Sequence, residues 1–188
     1  DRSKIPYLAT ASLDERLTAR GNRYFFRISS LDSYVKVMTG IVLDAFKAKN
    51  GAILHSVTPG SSQLAKRQKE VLERAGVRVS VFESFSPGLS DFTPLLARVR
   101  DQGAEVLISD TFFRDHLLLV RQMAQSSISV NAFLGAFGME FPNVIKELGP
   151  ASEGLFGTTS WQPGVTLGGS EKESLAFIEA FKQRFGRA

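Results

Sequence analysis

The sequence contains no cysteine and only two histidines, His55 and His116, and these shortages exclude several kinds of site. Zinc sites built on thiolates, iron–sulfur clusters, cysteine nucleophiles and disulfide bonds all require cysteine. Two histidines far apart in the sequence also make a histidine-rich metal site a poor candidate. The sequence therefore predicts no metal and no cofactor, and it leaves the redox compartment open.

Long hydrophobic runs are missing as well. No apolar stretch approaches the roughly 20 residues that a membrane-spanning helix needs, and no basic segment followed by an apolar core marks a signal peptide. The chain begins at Asp1, without a methionine. We interpret this start as that of a trimmed fragment, so the missing export signal is uninformative about location.

The charge is moderately basic but evenly spread. Lys and Arg number 23 against 19 Asp and Glu, which gives a net charge of +4 and a pI of about 9.5. Acidic Glu70 and Glu73 lie among the basic residues of segment 66–74. This mixture indicates a solvated helix face rather than a phosphate-binding stripe, so no nucleic-acid partner is expected.

Sequence motifs for catalysis are also missing. Neither a phosphate-binding loop nor a GxSxG nucleophile elbow occurs, and neither histidine has a local base-and-orienter arrangement. Ser33 and Lys36 spell an SxxK motif, but Ser33 fits a helix cap better. Gly60-Ser61-Ser62 at a helix N-terminus fits either an anion site or a plain turn. We therefore expect a protein that is not an enzyme.

What the sequence does contain is a regular alternation of strand-like and helix-like segments after residue 30. This alternation predicts an α/β fold with a doubly wound parallel sheet, a Rossmann-like lobe. Helices are expected over 32–48, 61–75, 92–102, 115–124, 142–148 and 171–185, and strands over 52–57, 77–81, 106–109, 132–134 and 155–160. Before them, short strands are expected over 6–9 and 24–28, around a polar turn.

Aromatic residues follow several of these strands. Phe112 and Phe113 come after the third strand, Phe137 after the fourth and Trp161 after the last. Ligands of parallel α/β sheets bind beyond the carboxyl ends of the strands. Each ring alone fits a core or lid position, but together at one sheet edge they predict a ligand pocket.

The order of several phrases resembles a known family, the type I periplasmic solute-binding proteins of ABC transporters, particularly the branched-chain amino-acid group. These phrases are LDERLTARGNRYFFR (13–27), SDFTPLLARVRDQGAEVLI (90–108), LLLVRQMAQSSISVNAFLG (117–135) and ELGPASEGLFGTTSWQP (147–163). The resemblance covers nearly the whole chain.

The resemblance implies two α/β lobes that close around a small ligand. Residues 1–29 then form the end of the first lobe, residues 30–160 the second lobe, and residues 161–188 the crossing back with a first-lobe helix. It also implies a periplasmic or extracytoplasmic protein that delivers its ligand to the membrane subunits of an ABC permease. The alternative is a ligand-sensing domain of a receptor or transcriptional regulator with the same fold.

The resemblance also assigns ligand-binding positions. Small and hydroxyl residues that hold the ligand carboxylate match Ala11 and Ser12, or Leu13 if no insertion is allowed. Two tyrosines of the family match Gly60 and Phe112.

The family's acidic residue for the ligand ammonium matches Phe137, with Glu140 the nearest carboxylate. An ammonium buried against Phe137 without an acceptor would be costly. The expected ligand is therefore an apolar or aromatic carboxylate, with an amino acid as the conventional alternative. The apolar face of the last helix also predicts dimerisation of the fragment.

Overall fold

The computed structural model describes residues 3–159, 161–162 and 168–186. The chain divides into two compact units, and the boundary along the sequence lies between Thr158 and Thr159. Parts of the predicted crossing segment, residues 163–167 and 187–188, lie outside the described residues, as does residue 160 at the predicted end of the second lobe. The division into lobes stays a prediction.

A parallel five-stranded sheet forms the centre of the first unit. Its strands are β3 (Asn50–Ser56), β4 (Arg78–Phe85), β5 (Val106–Asp110), β6 (Ala132–Gly135) and β7 (Leu155–Gly157). They are ordered β4-β3-β5-β6-β7, and every neighbouring pair is parallel. The helices of this unit around the sheet are α2 (Leu31–Gly40), α3 (Pro59–Arg74), α4 (Thr93–Asp101), α5 (Phe113–Gln125) and α6 (Asn143–Leu148).

Helices cover both faces of this sheet. On one face, Leu31, Met38 and Leu64 of α2 and α3 pack in a buried cluster with Ile108 of β5. The other cluster joins Leu107 of β5 to buried residues of α4, α5 and α6. Alternate residues of a strand point to opposite faces, so neighbouring residues of β5 serve opposite layers. The predicted doubly wound α/β sheet is confirmed.

Residues before the five-stranded sheet form a separate two-stranded sheet. β1 (Tyr7–Ala9) and β2 (Phe25–Arg27) pair in parallel, and the short helix α1 (Arg16–Ala19) connects them. Both strands lie within their predicted ranges. The helix was not predicted, because four residues are too few to show a helical period.

Helix α2 ends earlier than predicted. Instead of continuing to Ala48, it changes at Ile41–Ala45 into a π-helical turn, in which the amide of Phe46 donates to the carbonyl of Ile41. The α-helix also begins at Leu31, so Ser33 lies inside the first turn and the prediction that it caps the helix is wrong. Among the described residues, no helix is long and apolar enough to span a bilayer.

The second unit contains one helix within its described residues, α7 (Glu171–Phe185). The helix starts where Ser170 and the following acidic residues predict, and it ends at Gly186, whose left-handed conformation (φ 67°) suits glycine. Leu175, Phe177 and Phe185 on this helix are exposed.

Candidate functional site

The order of strands opens a crevice at one edge of the five-stranded sheet. β3 comes first in the chain, the next strand β4 lies on one side of it, and β5 lies on the other side. The connections that leave β3 and β5 therefore run in opposite directions across the sheet. Open α/β sheets bind ligands at such switch points, beyond the carboxyl ends of the strands.

A cavity of about 180 Å³ lies at this switch point. It is lined by Ala11, Ser12, Leu13, Thr58, Gly60, Ser61, Phe112 and Phe137. Five of the seven sequence-predicted ligand-binding residues are thus brought together, from four separate stretches of chain. Their part in ligand binding stays a prediction. None of the described residues that line the cavity carries a charged side chain.

One wall of the cavity consists of hydroxyl groups and the start of α3. Thr58 precedes the helix, and its Oγ1 donates to Ser61 Oγ at 2.9 Å and lies 3.0 Å from Ser56 Oγ. Pro59 has no N–H, and the amides of Gly60 and Ser61 have no acceptor four residues earlier within the helix. Helix N-termini favour negative charge for this reason, because unpaired amides point outward.

Gly60 brings this wall close to residue 13. A Cβ atom at Gly60 would lie 3.5 Å from the Cβ of Leu13, which is an ordinary van der Waals distance. Leu13 is 4% exposed and belongs to the same buried cluster as Leu64 of α3. A methyl group thus fits at residue 60, whereas the tyrosine that the resemblance implies at this position would have to point away from Leu13.

The opposite wall consists of aromatic rings. The rings of Phe112 and Phe137 stack, with centroids 5.6 Å apart and planes 27° from parallel. The ring of Tyr34 of α2 also contacts Phe137, with centroids 5.6 Å apart. Aromatic pairs at such distances each contribute about 0.5–1.5 kcal/mol beyond area burial.

A tight turn after β6 carries Phe137. Phe137 itself has a positive φ of 23°, which is rare for a bulky residue. Gly138 follows with φ 102°, and a Cβ atom there would lie only 3.0 Å from Phe113 Cβ. The Gly138 amide donates to Glu140 Oε2 at 2.8 Å. Glu140, the nearest carboxylate by sequence, therefore holds the turn and is not among the lining residues.

The remaining two predicted residues lie elsewhere. Phe113 packs against the buried cluster of α4 and α5, and its ring contacts Phe141 at 5.9 Å, so it supports the turn of Phe137 rather than lining the cavity. Trp161 belongs to the second unit, where its ring meets Phe177 edge-on at 5.4 Å. Its indole N–H donates to Ser174 Oγ at 3.1 Å.

Asp115 fixes the loop that carries Phe112. Its Oδ2 accepts from Thr111 Oγ1 at 2.6 Å, and its Oδ1 accepts from the Gly88 amide at 3.2 Å. The carboxylate thereby ties the chain after β4 to the chain after β5. These bonds hold Thr111 in place immediately before Phe112.

Two buried titratable groups lie near this edge without lining the cavity. Burial raises the pKa of Asp110 well above its ordinary value, although Gln68 Nε2 donates to it at 3.3 Å. Burial lowers the pKa of His116 to about 4, against the opposing hydrogen bond of its Nε2 to the Ser109 carbonyl. Among the described residues, no group of three His, Asp or Glu could hold a metal ion.

Sequence reasoning missed Thr58 and Tyr34 as site residues. Thr58-Pro59 is a typical helix start, and a hydroxyl residue before such a start could have been predicted to face the strand-end crevice. Tyr34 gives no comparable signal. Its ring reaches Phe137 only through the packing of α2 against the sheet.

A family model described as periplasmic binding protein matches residues 1–188. The chain is 27% identical over 169 residues to the leucine-, isoleucine-, valine-, threonine- and alanine-binding protein of Pseudomonas aeruginosa. The matched stretch covers 89% of this chain and 44% of that protein. The chain is 26% identical over 157 residues to Leu/Ile/Val-binding protein homolog 1 of Brucella suis, covering 83% and 42%. The chain thus spans less than half the length of these curated relatives.

Solved structures show the same fold. A leucine-binding protein from Thermotoga maritima superposes with a TM-score of 0.84 at 22% identity, covering 99% of this chain and 52% of that chain. A solute-binding protein of an ABC transporter from R. palustris, in complex with benzoate, superposes with a TM-score of 0.80 at 15% identity, covering 98% and 50%.

Proposed function

The chain belongs to the periplasmic binding protein family, and from this membership we propose that it is part of the solute-binding component of an ABC transporter. In this role the protein binds a small ligand between two lobes outside the cytoplasm and presents the closed form to permease subunits. A ligand that contacts both walls binds the closed form preferentially and shifts the protein towards it. We propose no catalytic role.

The cavity at the strand switch point is the observation that supports this function. Its residues come from the segment before α1, from the start of α3 and the residue before it, and from the loops after β5 and β6. Such a meeting of distant segments suits capture of a ligand. A volume of about 180 Å³ is small. A closed cavity of roughly 150 Å³ holds benzene, so the space that these residues enclose can admit a one-ring ligand.

The chemistry of the lining supports an aromatic or apolar carboxylate. Hydroxyls of Ser12 and Ser61 and the amides at the start of α3 can donate to a carboxylate, and the Phe112 and Phe137 rings can stack on an apolar body. An α-amino acid would also bring an ammonium group. Burying that group where the described lining has no carboxylate would cost several kcal/mol.

The names of the relatives point to two ligand classes. The name of the Pseudomonas aeruginosa relative gives leucine, isoleucine, valine, threonine and alanine, whereas the R. palustris structure contains benzoate. The first relative is closer in sequence, but the charge-free lining favours the second class for this chain.

A thermal-shift screen of the full-length protein tests the proposal. We expect benzoate and phenylacetate to raise the melting temperature, because a ligand that binds the native state stabilises it, and leucine and valine to leave it unchanged. A shift with leucine alone would overturn the ligand class but keep the binding role. No shift with any small carboxylate or amino acid would count against the binding role itself.

Exposed apolar residues on α7 support one further proposal, that this chain self-associates when it is isolated. Leu175, Phe177 and Phe185 each expose more than half of their surface. Exposed apolar surface of this kind favours association. Light scattering should give a mass near twice 20.6 kDa at high concentration, and a strictly monomeric chain would contradict it.

A further inference from the structure

Gln63 of α3 joins the helix to the segment that carries one wall of the cavity. Its Nε2 donates to Asp14 Oδ1 at 2.8 Å, and its Oε1 accepts from the Glu15 amide at 3.2 Å. Both halves of the side-chain amide are therefore used on adjacent residues. Gln63 does not line the cavity of about 180 Å³.

Arg16 keeps the carboxylate of Asp14 in place to accept the hydrogen bond from Gln63. The Arg16 guanidinium binds this carboxylate with two hydrogen bonds, from Nε at 2.9 Å and from Nη2 at 2.8 Å. Those bonds to Arg16, followed by the bond from Gln63, hold the pKa of Asp14 well below its usual range. Asp14 thus stays an ionised acceptor at pH values well below those at which an ordinary aspartate is protonated.

The same segment is anchored by packing beside Gln63. Leu13 is buried against α3 next to Gly60, and its carbonyl accepts from Arg27 Nη1 at 2.8 Å. Ala11 and Ser12, which precede it, line the cavity. The bonds of Gln63 therefore fix the distance between two parts of the cavity lining. One part is the segment of Ala11 and Ser12, and the other is the start of α3 with Gly60 and Ser61.

We propose that Gln63 is a positioning residue that increases ligand affinity without touching the ligand, by holding the Leu13–Glu15 segment against α3. The inference rests on the proposed binding function. Under the proposed division of the chain, the Gln63 bonds join the first lobe to the second. Bonds between the lobes would form as the lobes close and would raise the fraction of protein that is competent to bind, and apparent affinity scales with that fraction.

The test uses the full-length protein with benzoate as the probe. Removing the amide in Gln63→Ala should weaken binding about five- to tenfold by calorimetry, the size expected for net loss of hydrogen bonding. Arg74→Ala, at the exposed far end of α3, is the matched control and should bind within twofold of the unchanged protein. Binding by Gln63→Ala within twofold would overturn the proposal.

A charge variant separates positioning from general weakening of the helix. Gln63→Glu has nearly the same shape but sets a carboxylate against ionised Asp14, so binding should be at least as weak as in Gln63→Ala at pH 7. The like charge of Asp14 raises the pKa of the new carboxyl group, so lowering the pH from 7 to about 5 protonates part of that group while benzoate stays mostly ionised, and affinity relative to the unchanged protein should partly recover. A loss that is the same at both pH values would contradict the positioning role.

Amide hydrogen exchange keeps the inference testable if benzoate does not bind. In Gln63→Ala the Glu15 amide loses its acceptor and should exchange faster than in Arg74→Ala. Failure of benzoate to bind the unchanged protein would count against the proposed ligand class alone. Unchanged exchange at Glu15 would count against the role of Gln63, whatever the ligand.

Discussion

Two cavities of nearly equal volume lie at opposite ends of the same parallel sheet. One, of about 180 Å³, lies at the carboxyl ends of β3, β5 and β6. The other, of about 190 Å³, lies where β6 and β7 begin, beside the end of α5. Volume alone therefore cannot identify the binding site.

Chemistry and topology distinguish the two cavities. The carboxyl-end cavity combines hydroxyls, a helix N-terminus and two stacked rings. The amino-end cavity is mainly aliphatic, with Val120, Met123 and Ile128 among its lining residues. Chain connections diverge only at the carboxyl edge, at the switch point. We infer that the first cavity binds the ligand and that the second, which the exposed residues Ser129 and Glu153 also line, is a surface cleft without that role.

The largest expected effect is a loss of stability from a substitution at the amino-end cavity. Phe133 lines it and is 2% exposed. Phe133→Ala should lower the free energy of unfolding by about 3–5 kcal/mol, because it enlarges a cavity in the core. Urea unfolding measures the loss. Ligand affinity at the carboxyl end should stay within twofold, and a large loss of affinity would contradict the separation of the two ends.

The pKa of His116 depends on how well the surrounding core excludes water. The ring of Phe133 lies edge-on to His116, with centroids 6.1 Å apart. The pKa of His116 falls from 6.5 to about 4 on folding, so the unfolded chain binds the proton first as pH decreases. Stability should therefore be lost between pH 6.5 and pH 4, by about 3 kcal/mol from this group.

His116→Gln provides the control for that pH dependence. Glutamine retains an N–H that can donate to the Ser109 carbonyl but does not titrate. Urea unfolding of this variant should show a flatter decrease in stability over the same pH range. An identical decrease in both proteins would show that other groups cause it.

Adjacent phenylalanines allow the sharpest comparison between site and core. Phe112 is 47% exposed at the cavity, whereas Phe113 packs on the core. Phe112→Ala should weaken benzoate binding about tenfold with little change in stability. Phe113→Ala should lower stability by about 2–3 kcal/mol and weaken binding less than Phe112→Ala does, because Phe113 acts only through the turn that carries Phe137. Calorimetric titration and urea unfolding of both variants measure the two effects. If Phe113→Ala weakened binding more than Phe112→Ala, Phe112 would not belong to the site.

The smallest expected effect comes from a pair of serines at the start of α3. Ser61 lines the cavity, while Ser62 bonds back to the Ser56 carbonyl at 3.4 Å. Ser61→Ala should weaken carboxylate binding by about 1 kcal/mol, the usual net value of one hydrogen bond, and Ser62→Ala should not. Equal titration curves for the two variants would argue against a carboxylate at this wall.

Much of the fold follows from local sequence patterns. The apolar runs of β3, β5 and β6 begin and end within two residues of the predicted limits, because continuously buried parallel strands are the clearest strand signal. The switch from α-helix to π-helical turn at Ile41 was not predictable, since the apolar pattern continues through it. The same pattern fits both geometries.

The site was partly predictable, for physical reasons that differ between residues. Gly60, Phe112 and Phe137 follow strands that end at one edge, so the topology brings them together. The choice between Phe112 and Phe113 depends on whether the helix begins at residue 113, a single-residue boundary that sequence patterns do not resolve. The reach of Tyr34 to Phe137 depends on tertiary packing alone.

A crystal structure of the full-length protein with benzoate tests the central claim most directly. The account predicts the benzoate ring against Phe112 and Phe137, with its carboxylate near Ser12 and the amides of Gly60 and Ser61. Benzoate in the aliphatic cavity beside Met123, or a carboxylate turned away from the start of α3, would contradict it.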